Sequence, residues 1–223
     1  MMMIVIDILT LTMIAIIIVK RSIRFFTLEA KHLRLTSEQA KQNRRLILET
    51  ASRMFRLHGM ESVSVADIMK ESGFTHGGFY NHFKSKGELA AEAVACSFEE
   101  SASRLSERFV SGKNPQKALE KVIAEYLSPA YRDSSTGACP ASALPVDAAR
   151  NGKTVQMAFA GGIESYLDIF AARMDGNKQE TRQQAVALLS SLVGALMLSR
   201  AVKKSNPKLS DELLSSARKH LCK

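Results

Sequence analysis

The stretch that decides the fold is SVADIMKESGFTHGGFYNHFKSKGEL, residues 64–89. It opens with Ser64, whose side chain can cap a helix, and Asp67 follows three places later as in a capping box. Gly73 breaks this helix, and Thr75 can cap another short helix that includes the aromatic residues beyond it. Two short helices joined by a turn that contains glycine form a helix-turn-helix.

A longer helix is predicted before this stretch, from Glu38 to Gly59, because apolar residues recur there at helical spacing and glycine is a frequent helix terminator. Phe79 and Phe83 lie four residues apart and share one face of the third helix. They are expected to form a small core with Met54, Ile68 and Phe74. That core would fix the angle at which the short helices cross.

The opposite face of the third helix is polar. It carries Thr75, His76, Gly77, Tyr80 and Asn81. Hydroxyl, imidazole and amide groups of this kind can contact base edges and phosphates in DNA. The pattern therefore predicts a DNA-reading surface.

Composition favours an all-helical chain with a nucleic-acid partner. Of the 223 residues, 46% are hydrophobic, tryptophan is absent, and glycine and proline number only 12 and 5. The net charge is +9, and between Lys20 and Met60 ten basic residues face three acids. A basic excess suits a polyanion such as DNA.

The quoted stretch resembles the N-terminal DNA-binding signature of the TetR family of bacterial transcriptional regulators, over about fifty residues from Asn43. The run from Phe79 through Lys86 carries most of the resemblance. The resemblance implies a DNA-binding domain over residues 37–84 and a helical ligand-binding and dimerisation domain over 85–223. It also implies a palindromic operator, a small-molecule inducer and repression.

The same resemblance implies roles for single residues. Thr75, His76 and Gly77 would read or approach the bases. Ser64, Tyr80 and His82 would contact backbone phosphates, and Lys84 and Lys86 would anchor the strand near the fourth helix. The predicted DNA-binding set also includes Lys41 and Arg44 from the basic segment before the motif, together with Val65 and Asn81. Gly78 departs from the serine or threonine often found at its position.

The remaining helices are predicted from periodicity alone, over 85–109, 115–127, 141–150, 153–174, 178–204 and 208–221. The last two look like the pair that forms the homodimer in the family, with ordinary core packing as the alternative. The residues predicted to contact the inducer are Phe98, Tyr126, Cys139, Phe159, Ile163 and Tyr166. Most apolar members of this set could equally be plain core.

The three cysteines, Cys96, Cys139 and Cys222, are widely spaced and predict neither a disulfide framework nor a zinc site. No metal or cofactor is predicted, and a reducing cytoplasm fits best. Cys139 could sense electrophiles or oxidants if its thiolate were stabilised.

Residues 1–19 are almost wholly apolar and are followed by Lys20 and Arg21. One reading of residues 1–36 is a start site placed too far upstream. The other is a membrane anchor, whose length of about 20 residues would suffice to span a bilayer.

Two other classes of function compete with the prediction of a repressor. An enzyme is disfavoured because no nucleophile elbow, P-loop or metalloprotease motif is present. An activator, a membrane-anchored regulator or a non-specific DNA binder could share the same DNA-binding domain. The sequence thus predicts a dimeric, ligand-responsive repressor that is not an enzyme.

Overall fold

A computed structural model of the protein describes Lys20 and residues 37–110, 114–134 and 139–222, and every regular element in these ranges is helical. The all-α prediction is confirmed. Backbone contacts divide the chain into two units, Met1–Arg45 and Leu46–Lys223. The predictions for residues 1–36 lie outside the described residues, Lys20 excepted.

Two functional parts of the second unit are named here the head, residues 46–84, and the body, residues 85–222. Helix α1 is described over 37–58, and the head contains its part from residue 46 onward, helix α2, Val65–Glu71, and the 3-10 helix η1, His76–Asn81. Gly59 adopts a φ of 80° and ends α1, donating its N–H to the Phe55 carbonyl at 2.9 Å.

The third helix differs from the prediction in type and in its cap. It is a 3-10 helix of six residues, and the Thr75 side chain makes no capping hydrogen bond. The adjacent Gly77 and Gly78 have low helix propensity, and 3-10 geometry is common in such short pieces. The predicted core is present nonetheless: Phe79, Phe83 and Ile68 are buried, and Met54 and Phe74 pack against them.

The body contains eight helices in the described ranges. They are α3, Lys86–Val110; α4, Pro115–Tyr126; α5, Pro129–Asp133; α6, Pro140–Ala143; α7, Pro145–Arg150; α8, Lys153–Ala171; α9, Lys178–Val202; and α10, Pro207–Leu221. All five prolines of the chain are first residues of helices, where the missing N–H leaves no hydrogen bond unmade.

The predicted helices of the body are wrong at two places. The single helix over 141–150 is two helices, because Pro145 cannot donate to a carbonyl one turn earlier and so begins a helix of its own. The short helix α5, Pro129–Asp133, was not predicted. The other body helices lie within a few residues of their predicted ends.

Helices α3 and α8 pack closely against each other at the centre of the body. A methyl group at Gly162 would overlap the ring of Phe98, so only glycine lets these helices come this near. The Phe98 ring lies 5.2 Å from the rings of both Phe159 and Tyr166, measured between centroids. Aromatic pairs at such distances add specific packing to the burial of apolar surface.

Buried polar contacts join α5, α9 and α10. The hydroxyls of Ser199 and Ser210 lie 2.8 Å apart, and Arg132 donates to Ser210 Oγ at 2.7 Å and to Asp211 at 2.6 Å. Hydrogen bonds to Arg132 and Lys203 hold the pKa of the Asp133 carboxyl well below its usual range.

Helix α9 is the longest apolar helix of the body. Among the described helices, α9 is long and apolar enough to cross a membrane, judged by length and composition alone. In its most apolar stretch of 18 residues, 33% is buried inside the monomer. Val186 and Leu198 on α9 and Leu209 on α10 are exposed in the monomer. The last two helices therefore carry exposed apolar side chains in the monomer.

Candidate nucleic-acid interface and ligand cavity

A complete capping box begins α2. The Ser64 hydroxyl accepts the Asp67 N–H at 3.1 Å, and the Asp67 carboxylate accepts the Ser64 N–H at 3.0 Å. The hydrogen bonds from the Ser64 side chain and backbone lower the pKa of Asp67. The exposed Ser64 hydroxyl is therefore already engaged in positioning α2 before any partner binds.

The polar face of η1 is exposed as predicted from the sequence. Thr75, His76, Gly77 and Asn81 lie at the surface, and Tyr80 is 69% exposed. The Tyr80 ring packs edge-on against buried Phe79, with the ring centroids 5.3 Å apart. The apolar core thus holds the backbone of η1 while its polar side chains remain free to meet a partner.

The two glycines of η1 have different surroundings. A Cβ at Gly77 would meet no atom within 4 Å, so this position faces open space beside the polar side chains. A Cβ at Gly78 would lie 3.7 Å from the Met69 side chain, which is ordinary contact. Gly77 is therefore the point where a bound partner could approach the backbone most closely.

The remaining predicted DNA contacts belong to both units and are described for each unit by itself. Lys84 is exposed, and Lys86 is the first residue of α3, a helix of 25 residues. Ser85 Oγ caps the first turn of α3 by accepting the backbone N–H of Glu88 at 3.1 Å. Val65 and His82 are half-buried. In the first unit, Lys41 is exposed and Arg44 is half-buried, and both are helical.

The body encloses a cavity of about 450 Å³. A volume of this size falls within the range of small-molecule sites. Its lining comes from α1, α3, α4, α5, α8 and α9 and from the segments beside them: Arg56, Ser101, Arg104, Leu105, Arg108, Val122, Tyr126, Tyr131, Ser134, Cys139, Tyr166, Phe170, Leu189 and Leu192.

Three of the six residues predicted to contact an inducer line this cavity, namely Tyr126, Cys139 and Tyr166. The other three, Phe98, Phe159 and Ile163, belong to the packing between α3 and α8 and are not among the lining residues. Cys139 Sγ lies 3.7 Å from the Tyr166 hydroxyl. The cysteine is thus buried against a phenol and not exposed at the cavity mouth.

Burial keeps the cavity phenols protonated. Burial, with the charge of Cys139 adding to it, raises the pKa of Tyr131 to about 12 and that of Tyr126 well above its ordinary value. The same causes raise the pKa of Tyr166. Because a protonated phenol keeps its hydrogen, all three can donate to a ligand oxygen.

Sequence reasoning missed the cationic lining of the cavity. Arg104 and Arg108 lie four residues apart on α3 and therefore on one face, which was a readable signal. Arg56 was counted with the basic residues that precede the DNA-binding motif. In the structure it lines the cavity and donates to Ser52 Oγ at 2.6 Å and to Ser97 Oγ at 2.8 Å.

Comparison with known proteins agrees with the architecture of the head. Residues 47–93 match the family described as bacterial regulatory proteins, tetR family. The uncharacterized HTH-type transcriptional regulator YxaF of Bacillus subtilis (strain 168) is 28% identical over 75% of this chain and 90% of its own length. AcrR of Shigella flexneri is 41% identical, over 26% of this chain and 27% of AcrR.

Solved structures show the same fold along most of the chain. NemR of E. coli in its reduced form is 19% identical, with a TM-score of 0.68 over 81% of this chain and 95% of NemR. Taken with the geometry of the head, these similarities define a helix-turn-helix, DNA-binding transcriptional regulator. Within this class, residues 47–93 are similar to the DNA-binding region of the TetR family of bacterial regulators.

Proposed function

We propose that this regulator is a repressor that binds a palindromic operator as a homodimer and is released by a small molecule in the body cavity. The observation that carries the proposal is the polar, exposed face of η1 above the buried Phe79 core. A rigid scaffold with short polar side chains is what base readout in a major groove requires.

In this proposal the DNA contacts divide into two groups. Thr75, His76, Gly77 and Asn81 approach base edges and confer sequence specificity. The backbone contacts come from Lys41, Arg44, Ser64, Val65, Tyr80, His82, Lys84 and Lys86. Since the head is not strongly basic, affinity depends on this second group and falls with added salt.

The homodimer is proposed to form through α9 and α10. The exposed apolar side chains Val186, Leu198 and Leu209 would be covered by the same face of a second copy. A two-fold axis there would place two η1 helices about 34–36 Å apart, one turn of DNA. Replacement of Leu198 by glutamate should shift the sedimentation of the protein from dimer to monomer.

Release by a ligand requires a mechanical link between the cavity and the head. Asp147 on α7 accepts the Met60 N–H at 2.9 Å, directly after the turn at Gly59 that ends α1. A ligand that favours one arrangement of the body helices would thereby favour one spacing of the two heads. Such a ligand must bind the released state more tightly than the DNA-bound state.

The decisive experiment is a gel-shift titration with a palindrome from the intergenic region beside the gene. The protein should bind that palindrome far more tightly than a scrambled duplex of the same composition. Equal affinity for the two duplexes would contradict operator binding and favour a non-specific DNA binder. In vitro transcription then separates a repressor from an activator with the same head.

We further propose that the protein is cytoplasmic, has no enzymatic activity and needs no cofactor. Within the described ranges, no group of three or more histidine, cysteine or acidic side chains could hold a metal ion. The membrane-anchored alternative depends on residues 1–19 and is tested by fractionating cells that express the full chain. Recovery in the membrane pellet would favour the anchor.

A further inference from the structure

We infer that the cavity ligand is an amphipathic anion, with an apolar body and an acidic oxygen bound by Arg56. The inference rests on the proposed inducer function of the cavity and names the chemical class of the inducer. A carboxylate, a sulfonate or an ionised phenol would satisfy it equally. Arg56 is then a specificity-determining residue of the site.

Part of the cavity lining is apolar. Leu105, Val122, Phe170, Leu189 and Leu192 form this apolar side, and their side chains offer no hydrogen bond. A ligand must therefore bury hydrocarbon or aromatic surface there to displace water favourably. A small, fully polar anion such as phosphate would leave this side uncovered.

The polar side of the cavity carries positive charge. Three arginines line it, Arg56, Arg104 and Arg108, and no aspartate or glutamate is among its lining residues. Arg104 lies 3.9 Å from Glu100, and Arg108 lies 3.2 Å from Glu125, so both are neutralised in part. Their side chains are about half exposed, which places them toward solvent.

Arg56 differs from these two because its hydrogen bonds are to neutral groups. It is half-buried and donates only to the Ser52 and Ser97 hydroxyls in the part of the chain that the structure describes, with no carboxylate at ion-pair distance there. Burial lowers its pKa, and the charge of Glu100 opposes that shift only in part. A half-buried cation whose hydrogen bonds are all to neutral groups favours a ligand that supplies an anion at hydrogen-bond distance.

A second, independent feature points into the same cavity. The Tyr126 hydroxyl oxygen is buried and makes no well-formed hydrogen bond with the described residues, although Cys139 and Ser142 lie close enough to affect its pKa. A buried hydroxyl without a partner lowers stability unless a ligand or water completes it. Because the phenol is protonated, it would donate to an oxygen of the ligand, which is again the preference of an anion.

The position of Arg56 also connects the ligand to DNA binding. Arg56 belongs to α1 of the head, and the serines it bonds, Ser52 on α1 and Ser97 on α3, lie 2.7 Å apart across the junction with the body. An anion that draws the guanidinium toward the cavity would weaken this junction. The same contact would thus select the ligand and move the head.

The test compares two fluorescent probes that share one ring system. Anilinonaphthalene sulfonate carries an anionic group, and phenylnaphthylamine is its neutral counterpart. Fluorescence titration of the full-length protein should show the sulfonate binding about tenfold more tightly or better, as expected when one charge-assisted hydrogen-bond pair is gained. Arg56→Gln should abolish that difference and leave the neutral probe unchanged.

Two variants control for indirect effects on folding. Arg53→Gln removes an arginine of the same helix that pairs with Glu71 outside the cavity, and should leave both probes unaffected. Tyr126→Phe should weaken the sulfonate about threefold or more. Its melting temperature should stay the same or rise, because it removes an unpartnered hydroxyl; a merely structural hydroxyl would instead lower it.

The outcomes separate this inference from the proposed function. Equal binding of the two probes, or sulfonate binding that is unchanged in Arg56→Gln, would overturn the anionic class of the ligand. Anisotropy of labelled operator DNA is then recorded with each probe at saturation. If a bound probe never weakens operator binding, while Arg56→Gln still abolishes the difference in affinity between the two probes, the cavity binds anions and the inducer mechanism is the part that fails.

Discussion

Two pairs of adjacent glycines, one in the head and one in the body, are arranged in opposite ways. In the body, Gly162 is the position that the structure requires, because a methyl group there would overlap Phe98, and Gly161 faces open space. In the head, Gly78 has ordinary room beside Met69, and Gly77 faces open space on the proposed DNA surface. In the body, the glycine that packing requires is Gly162, which faces the core. In the head, the glycine expected to matter is Gly77, which faces the proposed DNA surface.

This contrast separates stability from function. A substitution at the inner glycine of the body acts on the free protein, since the clash is with its own core. A substitution at the outer glycine of the head has nothing to clash with until DNA arrives. The two regions can therefore be tested with the same chemical change, glycine to alanine, read out by two different measurements.

The largest expected effect is loss of stability in Gly162→Ala. The Phe98 ring is 2% exposed and is held between Phe159 and Tyr166, so it cannot turn away from a new methyl group. We expect a net loss of about 2 kcal/mol, from about 3 kcal/mol of overpacking less about 1 kcal/mol of improved helix propensity. Circular dichroism should show a melting temperature lower by about 4–8 °C.

Gly161→Ala is the matched control for that experiment. Its methyl group would meet no atom within 4 Å, and the residue is exposed on the same helix. Stability should stay the same or rise by up to about 1 kcal/mol. Equal melting temperatures for the two variants would contradict the close approach of α3 and α8.

The next effect is loss of DNA affinity in Gly77→Ala without loss of stability. The methyl group would stand at the surface of η1, where the backbone is proposed to approach the bases. We expect operator binding to weaken about tenfold, roughly 1.4 kcal/mol, by fluorescence anisotropy at fixed salt. Gly78→Ala, whose methyl contacts Met69 and not DNA, should bind like the unmodified protein.

The head could be predicted from the sequence because its determinants are local. The pair Ser64 and Asp67 specifies a helix start within four residues, and the aromatic spacing of Phe79 and Phe83 specifies a core face within one turn. The prediction that the Thr75 side chain caps the third helix is wrong for a local reason too, because the glycines after it favour a tight 3-10 turn. Local chemistry therefore accounts for both the success and the error.

The cavity could not be predicted in the same way because its lining converges from six helices. Arg56 is one basic residue among many in the sequence, and only the packing of α1 against Ser97 of α3 directs it to the cavity. Likewise, Phe98 and Phe159 have the composition of ligand contacts but pack against each other. The helix break before Pro145 could have been predicted from the sequence, because proline cannot continue a helix. The directions of the Arg56, Phe98 and Phe159 side chains could not.

A smaller effect compares the two capping boxes, one in each region. Ser64→Ala removes the cap of α2, and Asn177→Ala removes the cap of α9, which Asn177 forms with Glu180. Each should lower the free energy of unfolding by about 1 kcal/mol, measured by urea denaturation. Only Ser64→Ala should also weaken operator binding, because it alone repositions residues beside DNA. Equal operator affinity in the two variants would remove Ser64 from the proposed interface.

The smallest effect is on the salt dependence of operator binding. If Lys84 binds one phosphate, Lys84→Gln should reduce the slope of log K against log salt by about 0.9 and weaken all DNA sequences alike. Lys208→Gln on α10 removes the same charge from an exposed position of the body and should leave the slope unchanged. Because both variants lower the net charge equally, a shared change in slope would mean that overall charge governs binding. A change of slope in Lys84→Gln but not in Lys208→Gln would place the DNA backbone beside the start of α3, at the head and not at the far end of the body.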